Sequence, residues 1–249
     1  MLRLPCTLVF IALTNFAAAF VQASTGFGYS LIAMSIMPLF LPMAQCSAIS
    51  AVTVVAIGLQ MTFSLRKNFC LKTVLLPLLC CIVTINLGLH LLYTLDEQIL
   101  RRILACLLIL VTALFYIMQK KKIALPRRWY SPVGAGLLAG ISTGLFNIVG
   151  PFFLIYYINV CKNNLHLKSS LEFTFLMAGL YSTGMHLFVY NNIHRGVMPE
   201  ITVSVLAALL AGVIGLRLYR KIDKTTITRL VYILLPIMAV ALVISGPYY

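Results

Sequence analysis

The sequence predicts an all-α, polytopic transmembrane helical bundle: two inverted repeats of about five segments each, with broken or re-entrant glycine-rich helices. Three observations lead there. The 249 residues are 61% hydrophobic with a mean hydropathy of +1.02, and only 10% are charged, against about a quarter in a soluble domain. The charges are gathered into clusters, so that none lies between Arg3 and Arg66 or between Arg128 and Lys162. The second half of the chain also repeats the first.

The repeat is read from costly matches rather than from leucines. A shift of 127 residues lays Gly88-Leu89-His90-Leu91 on Gly215-Leu216-Arg217-Leu218, Asp96 on Asp223 and Arg102 on Arg229. Nearer the start of each half, Ser24-Thr25-Gly26 recurs as Ser142-Thr143-Gly144. This divides the chain into an N-terminal transmembrane repeat, 1–118, a basic cytoplasmic linker, 119–130, and a C-terminal transmembrane repeat, 131–249.

Taken in order, the apolar runs between charged clusters are 4–22, 27–42, 46–65, 73–93, 102–118, 132–146, 148–160, 170–190, 200–216 and 229–246. Met1 to Ser24 has the outline of a signal peptide, with Arg3 before an apolar stretch and Val21-Gln22-Ala23 as a cleavage-like site. The apolar run continues to Leu41, and the second half has an equivalent, so 4–22 is read as a first helix. As one helix the 39 residues of 4–42 would run ~58 Å, nearly twice the hydrocarbon thickness. The stretch must break, and Gly26-Phe27-Gly28 and the segment Gly144 to Gly150-Pro151 are the natural places.

Positive charge sets the topology. With one passage through 4–42 and one through 132–160, Lys and Arg divide 10 to 9 between the two sides. With a pair of segments in each stretch, the loops at 66–72, 119–131, 161–168 and 217–229 fall together and hold 15 of the 19. The positive-inside rule selects the second arrangement. Both termini are then outside and the halves are inverted. Full crossing and re-entry have the same parity, and the 13-residue run 148–160 favours re-entry.

The net charge of +14 sits in short loops, not on one basic face, so it signals orientation and not a nucleic-acid partner. The seven cysteines show no paired spacing and read as small core hydrophobes. His-Glu-x-x-His, Gly-x-Ser-x-Gly, a phosphate loop and Cys-x-x-Cys are all absent, so no enzyme, metal or cofactor chemistry is expected.

Broken helices survive in lipid only where they are buried in protein or line a wet cavity. At each break the amides of the following half-helix offer donors and a positive dipole end to an anion. The candidate substrate-binding residues are therefore Gln22, Ser24, Thr25, Gly26 and Gly28 in the first half, with Ser142, Thr143, Gly144, Asn147, Gly150 and Pro151 in the second. The plainer alternative is that small and hydroxylated residues only let helices pack closely. Glu172 is the acid nearest the interior of a span, a candidate for proton coupling or else a helix-start cap. His90 and Arg217 would guide an anion or snorkel, and His186 reads as an interfacial histidine.

The segments Val21-Gln22-Ala23-Ser24-Thr25-Gly26-Phe27-Gly28 and Gly140-Ile141-Ser142-Thr143-Gly144-Leu145-Phe146-Asn147-Ile148-Val149-Gly150-Pro151 resemble the paired glycine-rich motifs of the TauE/SafE sulfite exporter family. The resemblance spans nearly the whole chain. It implies a multi-pass carrier of the bacterial cytoplasmic (inner) membrane that moves sulfite or organosulfonates, usually outward. Ser30 and Asn147 stand where further glycines are common and Ser35 where a proline often follows, which puts the particular substrate in doubt. The expected partners are a small anionic substrate and the lipid bilayer, with the oligomeric state open. A passive anion channel and a non-transporting membrane scaffold are the competing expectations.

Overall fold

The computed structural model describes residues 3–65, 71–120, 130–161, 163–218 and 224–244. Most of the expected linker, Lys162 and Asp223 lie outside these residues, and the side chain of Arg229 is likewise not described. The described residues form ten α-helices: α1 (Arg3–Thr25), α2 (Tyr29–Ile36), α3 (Met43–Leu65), α4 (Leu71–Thr94), α5 (Glu97–Lys120), α6 (Tyr130–Phe146), α7 (Gly150–Val160), α8 (Asn164–Gly184), α9 (Met198–Leu218) and α10 (Lys224–Ile244). A 3₁₀ turn, Met37–Leu39, extends α2, and a π-helical turn, Met185–Val189, continues α8. Five helices, α1, α3, α4, α5 and α9, are long and apolar enough to cross a membrane. With 8 and 11 residues, α2 and α7 reach only ~12 and ~17 Å and cannot.

Three helices start five or six residues earlier than the charges suggest: α5, α8 and α10, the last at Lys224 rather than at 229. Expected from residue 102, α5 begins at Glu97, because Arg101 is buried and its Nε lies 3.3 Å from the Glu97 carboxylate. That carboxylate also accepts from the Met43 amide at 3.1 Å, which caps the first turn of α3. Expected from residue 170, α8 begins at Asn164, where the Asn163 side chain accepts from the His166 amide at 2.7 Å. Lys168 lies inside α8 and is 3% exposed, so it is not the loop charge it was counted as.

The four most extensive helix pairs, α4 with α6, α1 with α9, α3 with α8 and α5 with α10, each join one half to the other. Small residues make the α4–α6 seam: a Cβ on Gly144 would come within 2.7 Å of Gly88 Cα, and one on Gly136 within 2.8 Å of Cys80 Cβ. This is the close backbone approach that stabilises helices in lipid, where water provides no driving force. Contacts along α3 and α8 run in opposite senses, since Ser47 meets His186, Val55 meets Gly179 and Gly58 meets Leu176. Polarity is inside and apolarity outside: Asn15, Gln22, Thr53, Glu172 and Ser204 are buried, while Phe10, Phe63, Val83, Phe188 and Leu210 are exposed. The described cysteines are free thiols, with Cys46 and Cys81 buried.

Candidate functional site

The first break follows from two glycines. Gly26 at φ +95° takes the left-handed position after α1, its amide donating to Gln22 O at 2.7 Å, and Gly28 at φ +110° precedes α2. Thr25 latches the bend, its hydroxyl bonding the carbonyls of Val21 (2.8 Å) and Phe27 (2.7 Å). Tyr29, fully buried, donates to Asn15 Oδ1 and so ties α2 back onto α1.

The second break uses the same device with a different residue. Asn147 at φ +54° ends α6, its amide donating to Thr143 O at 2.7 Å, as a single left-handed cap requires. Ser142 holds the turn through the carbonyls of Ala139 and Ile148, and Thr143 bonds Ala139 O. Neither α2 nor α7 has a side-chain cap at its start.

Both breaks open on one narrow cavity of about 10 Å³, roughly what a single water needs. Gln22, Gly28 and Ser30 line it from the first break, and Asn147, Gly150 and Pro151 from the second. Val54 of α3 and Phe175 of α8 complete the wall. The breaks also touch, since a Cβ on Gly150 would lie 3.6 Å from Phe27 Cβ. Of the expected residues, Gln22, Gly28, Asn147, Gly150 and Pro151 are thus brought together. Thr25, Gly26, Ser142 and Thr143 shape the bends and do not face the cavity. Gly144 belongs to the α4–α6 seam.

Two polar clusters flank the cavity. On one side Gln22 Nε2 donates to Glu172 Oε2 at 3.0 Å, and Lys168 Nζ, one turn earlier on α8, donates to Ala23 O at 2.8 Å. Glu172 is fully buried, in the interior and not capping its helix. On the other, Asn147 Nδ2 donates to Ser47 O (2.8 Å) and Ser47 Oγ (3.2 Å). Ser47 Oγ lies 3.3 Å from His186 Nε2, and His186 Nδ1 lies 2.7 Å from the Tyr93 hydroxyl. Ser24 Oγ, Asn147 Oδ1 and Glu172 Oε1 are buried without a hydrogen-bond partner.

The family model for the sulfite exporter TauE/SafE matches residues 11–242. The chain belongs to the TauE/SafE sulfite exporter family. The family is one of membrane transporters that handle sulfur anions, and the match covers both breaks and every residue around the cavity. No curated protein and no solved structure gives a significant match.

In this TauE/SafE chain sequence reading missed Lys168, Ser47 and the interior place of His186, and singled out Ser30 only as a departure from the family pattern. Lys168-Ser169-Ser170 with Glu172 four residues on was the available signal, hidden by treating every charge as a loop marker. The Ser-Thr-Gly match is also out of register. The left-handed residues Gly26 and Asn147 are 121 apart, whereas Gly26 and Gly144 are 118 apart, so Ser142-Thr143-Gly144 sits one turn earlier in its helix. His90 and Arg217 are exposed and away from the cavity.

Proposed function

We propose that the protein is a secondary transporter that exports a small anion, sulfite or an organosulfonate, through the cavity between its two helix breaks. The observation that carries this reading is the convergence of both breaks, with the uncapped starts of α2 and α7, on one narrow cavity. Amide donors and dipole ends attract an anion there, and the Gln22 and Asn147 side chains add hydrogen-bonding without a formal charge that would trap it. A volume near that of one water fits a closed state of a carrier better than an open channel. A scaffold would leave the two breaks without a purpose.

In this reading the halves 1–118 and 131–249 are inverted repeats in a bacterial cytoplasmic membrane, with both termini outside. The opposed senses of α3 and α8, which occupy the same place in their halves, support the inversion. Alternating access then comes from rocking one half against the other. Glu172, the one acid within the interior of a helix at the site, is the proposed coupling group.

The test is efflux from proteoliposomes loaded with labelled sulfite, sulfate, taurine-like sulfonates and small carboxylates, under imposed potential and pH gradients. Saturable efflux of sulfite or a sulfonate is expected, accelerated by a potential negative on the loaded side. Absence of flux for all of these anions would defeat the carrier reading, and conductance far above carrier turnover would replace it with a channel. Glu172→Gln is expected to remove the response to a pH gradient while keeping the response to potential.

A further inference from the structure

We propose that Lys168 and Ser47 are the two gate residues of the cavity, each closing one side by tying the third helix of its own half to the end of the first helix of the other. The inference rests on the carrier reading.

The two halves share a register at the front of each repeat that the residue matches do not reveal. Gly26 and Asn147, the first residues of α2 and α7 (Tyr29 and Gly150), and those of α3 and α8 (Met43 and Asn164) are all 121 residues apart. Lys168 and Ser47 are 121 apart as well, and they make equivalent contacts. Lys168 reaches the last turn of α1, its stem lying 3.4 Å from where a Cβ on Gly26 would stand and its Nζ 2.8 Å from Ala23 O. Ser47 receives the side chain of Asn147, the left-handed residue that ends α6.

The clusters lie at opposite ends of the cavity. Because α3 and α8 run in opposite senses, Ser47 meets His186, 18 residues beyond Lys168 on the α8 axis, a separation of ~27 Å. The cavity walls Val54 and Phe175 fall between them. Each contact crosses between halves, so rocking must break one while the other holds.

Their chemistry differs, and that gives the carrier a loading side. The Lys168 ammonium donates to the Ala23 carbonyl with the Glu172 carboxyl one turn on as an electrostatic partner, and an arriving oxyanion competes for it as a charged ligand that the carbonyl is not. An anion arriving from that side therefore draws Lys168 off Ala23 and frees the end of α1. The other gate is an amide, a hydroxyl and an imidazole with no carboxylate or ammonium among the groups in contact, and it offers an arriving anion less. In the proposed topology the Lys168 side is cytoplasmic, which suits export.

The test uses Ser30→Cys, a cavity position, as a reporter for a membrane-impermeant anionic methanethiosulfonate applied to right-side-out and to inverted vesicles, with the native cysteines as baseline. Slow labelling from both faces is expected without a gate mutation. Lys168→Met should raise the rate at least tenfold from the cytoplasmic face only. Asn147→Gly, which keeps the left-handed backbone and removes the bonds to Ser47, should do so from the opposite face only. Equal rates in all variants, or acceleration by both from the same face, would overturn the proposal. Should Lys168→Met fail to insert, Lys168→Gln, which keeps a donor without the charge, is the second variant: faster labelling from the cytoplasmic face only is expected, and an unchanged rate would count against the gate. Fast labelling of the Ser30→Cys reporter from both faces would instead indicate an open channel, and so defeat the carrier reading separately.

Discussion

Asn147 does two things that a single substitution would confound. Its backbone turns α6 at φ +54°, a region that costs other L-residues roughly 1–2 kcal/mol, and its side chain fastens the bend to Ser47. Asn147→Gly separates them, since glycine adopts the turn freely and carries no donor. Thermal unfolding in detergent should rank wild type above Asn147→Gly, and Asn147→Gly above Asn147→Leu, each step on the order of 1 kcal/mol. Equal stability of the two variants would show that the turn places no demand on the residue. The Tyr29 hydroxyl is the corresponding clamp of the first break. Tyr29→Phe leaves Asn15 Oδ1 buried and unbonded, and should cost about 1–3 kcal/mol by the same measurement. The sequence made Asn147 visible because a polar residue beside glycines in an uncharged run is conspicuous. Nothing marked Asn15 and Tyr29 as a pair 14 residues apart.

At the scale of helices, the glycines divide into those that bend the chain and those that let it pack. Gly140 and Gly144 face α4 so closely that an added side chain would meet backbone: one on Gly144 would come within 2.6 Å of Leu89 N. Gly144→Leu or Gly140→Val should therefore prevent folding, seen as loss of a monodisperse species after detergent extraction. Gly26→Leu meets the Lys168 side chain and a strained φ, so insertion should survive while transport is lost. The two Ser-Thr-Gly motifs should therefore answer differently to the same bulky replacement. The helix runs themselves were legible because lipid demands long apolar segments, and each of the ten overlaps its expected run, with ends displaced by up to six residues. The starts of α5 and α8 were not, because Arg101 is paired with Glu97 one turn away and Lys168 is buried against the carbonyl of Ala23, 145 residues distant.

For the whole molecule, the loop charges and the packing of α3 on α8 each support the proposed topology. Removing Lys168 from the loop count leaves 14 of 19 basic residues on one side, so the bias survives the correction. Packing lends support without any charge, since helices of like rank, α3 and α8, run in opposed senses. In the proposed topology both ends of the chain lie on the face away from the basic loops. Reporter fusions active only in the periplasm should signal at both termini, while one inserted in the 119–130 linker should be silent; a cytoplasmic terminus would break the inversion and with it the two-sided gating. The same geometry sets the energetics. A monovalent anion crossing such a carrier without a partner ion gains ~2.3 kcal/mol per 100 mV in the outward direction, close to a fiftyfold accumulation ratio. Clamping the potential at zero with potassium and valinomycin should abolish that ratio, and a gradient that persists at zero potential would require a coupled ion, with Glu172 the first residue to replace.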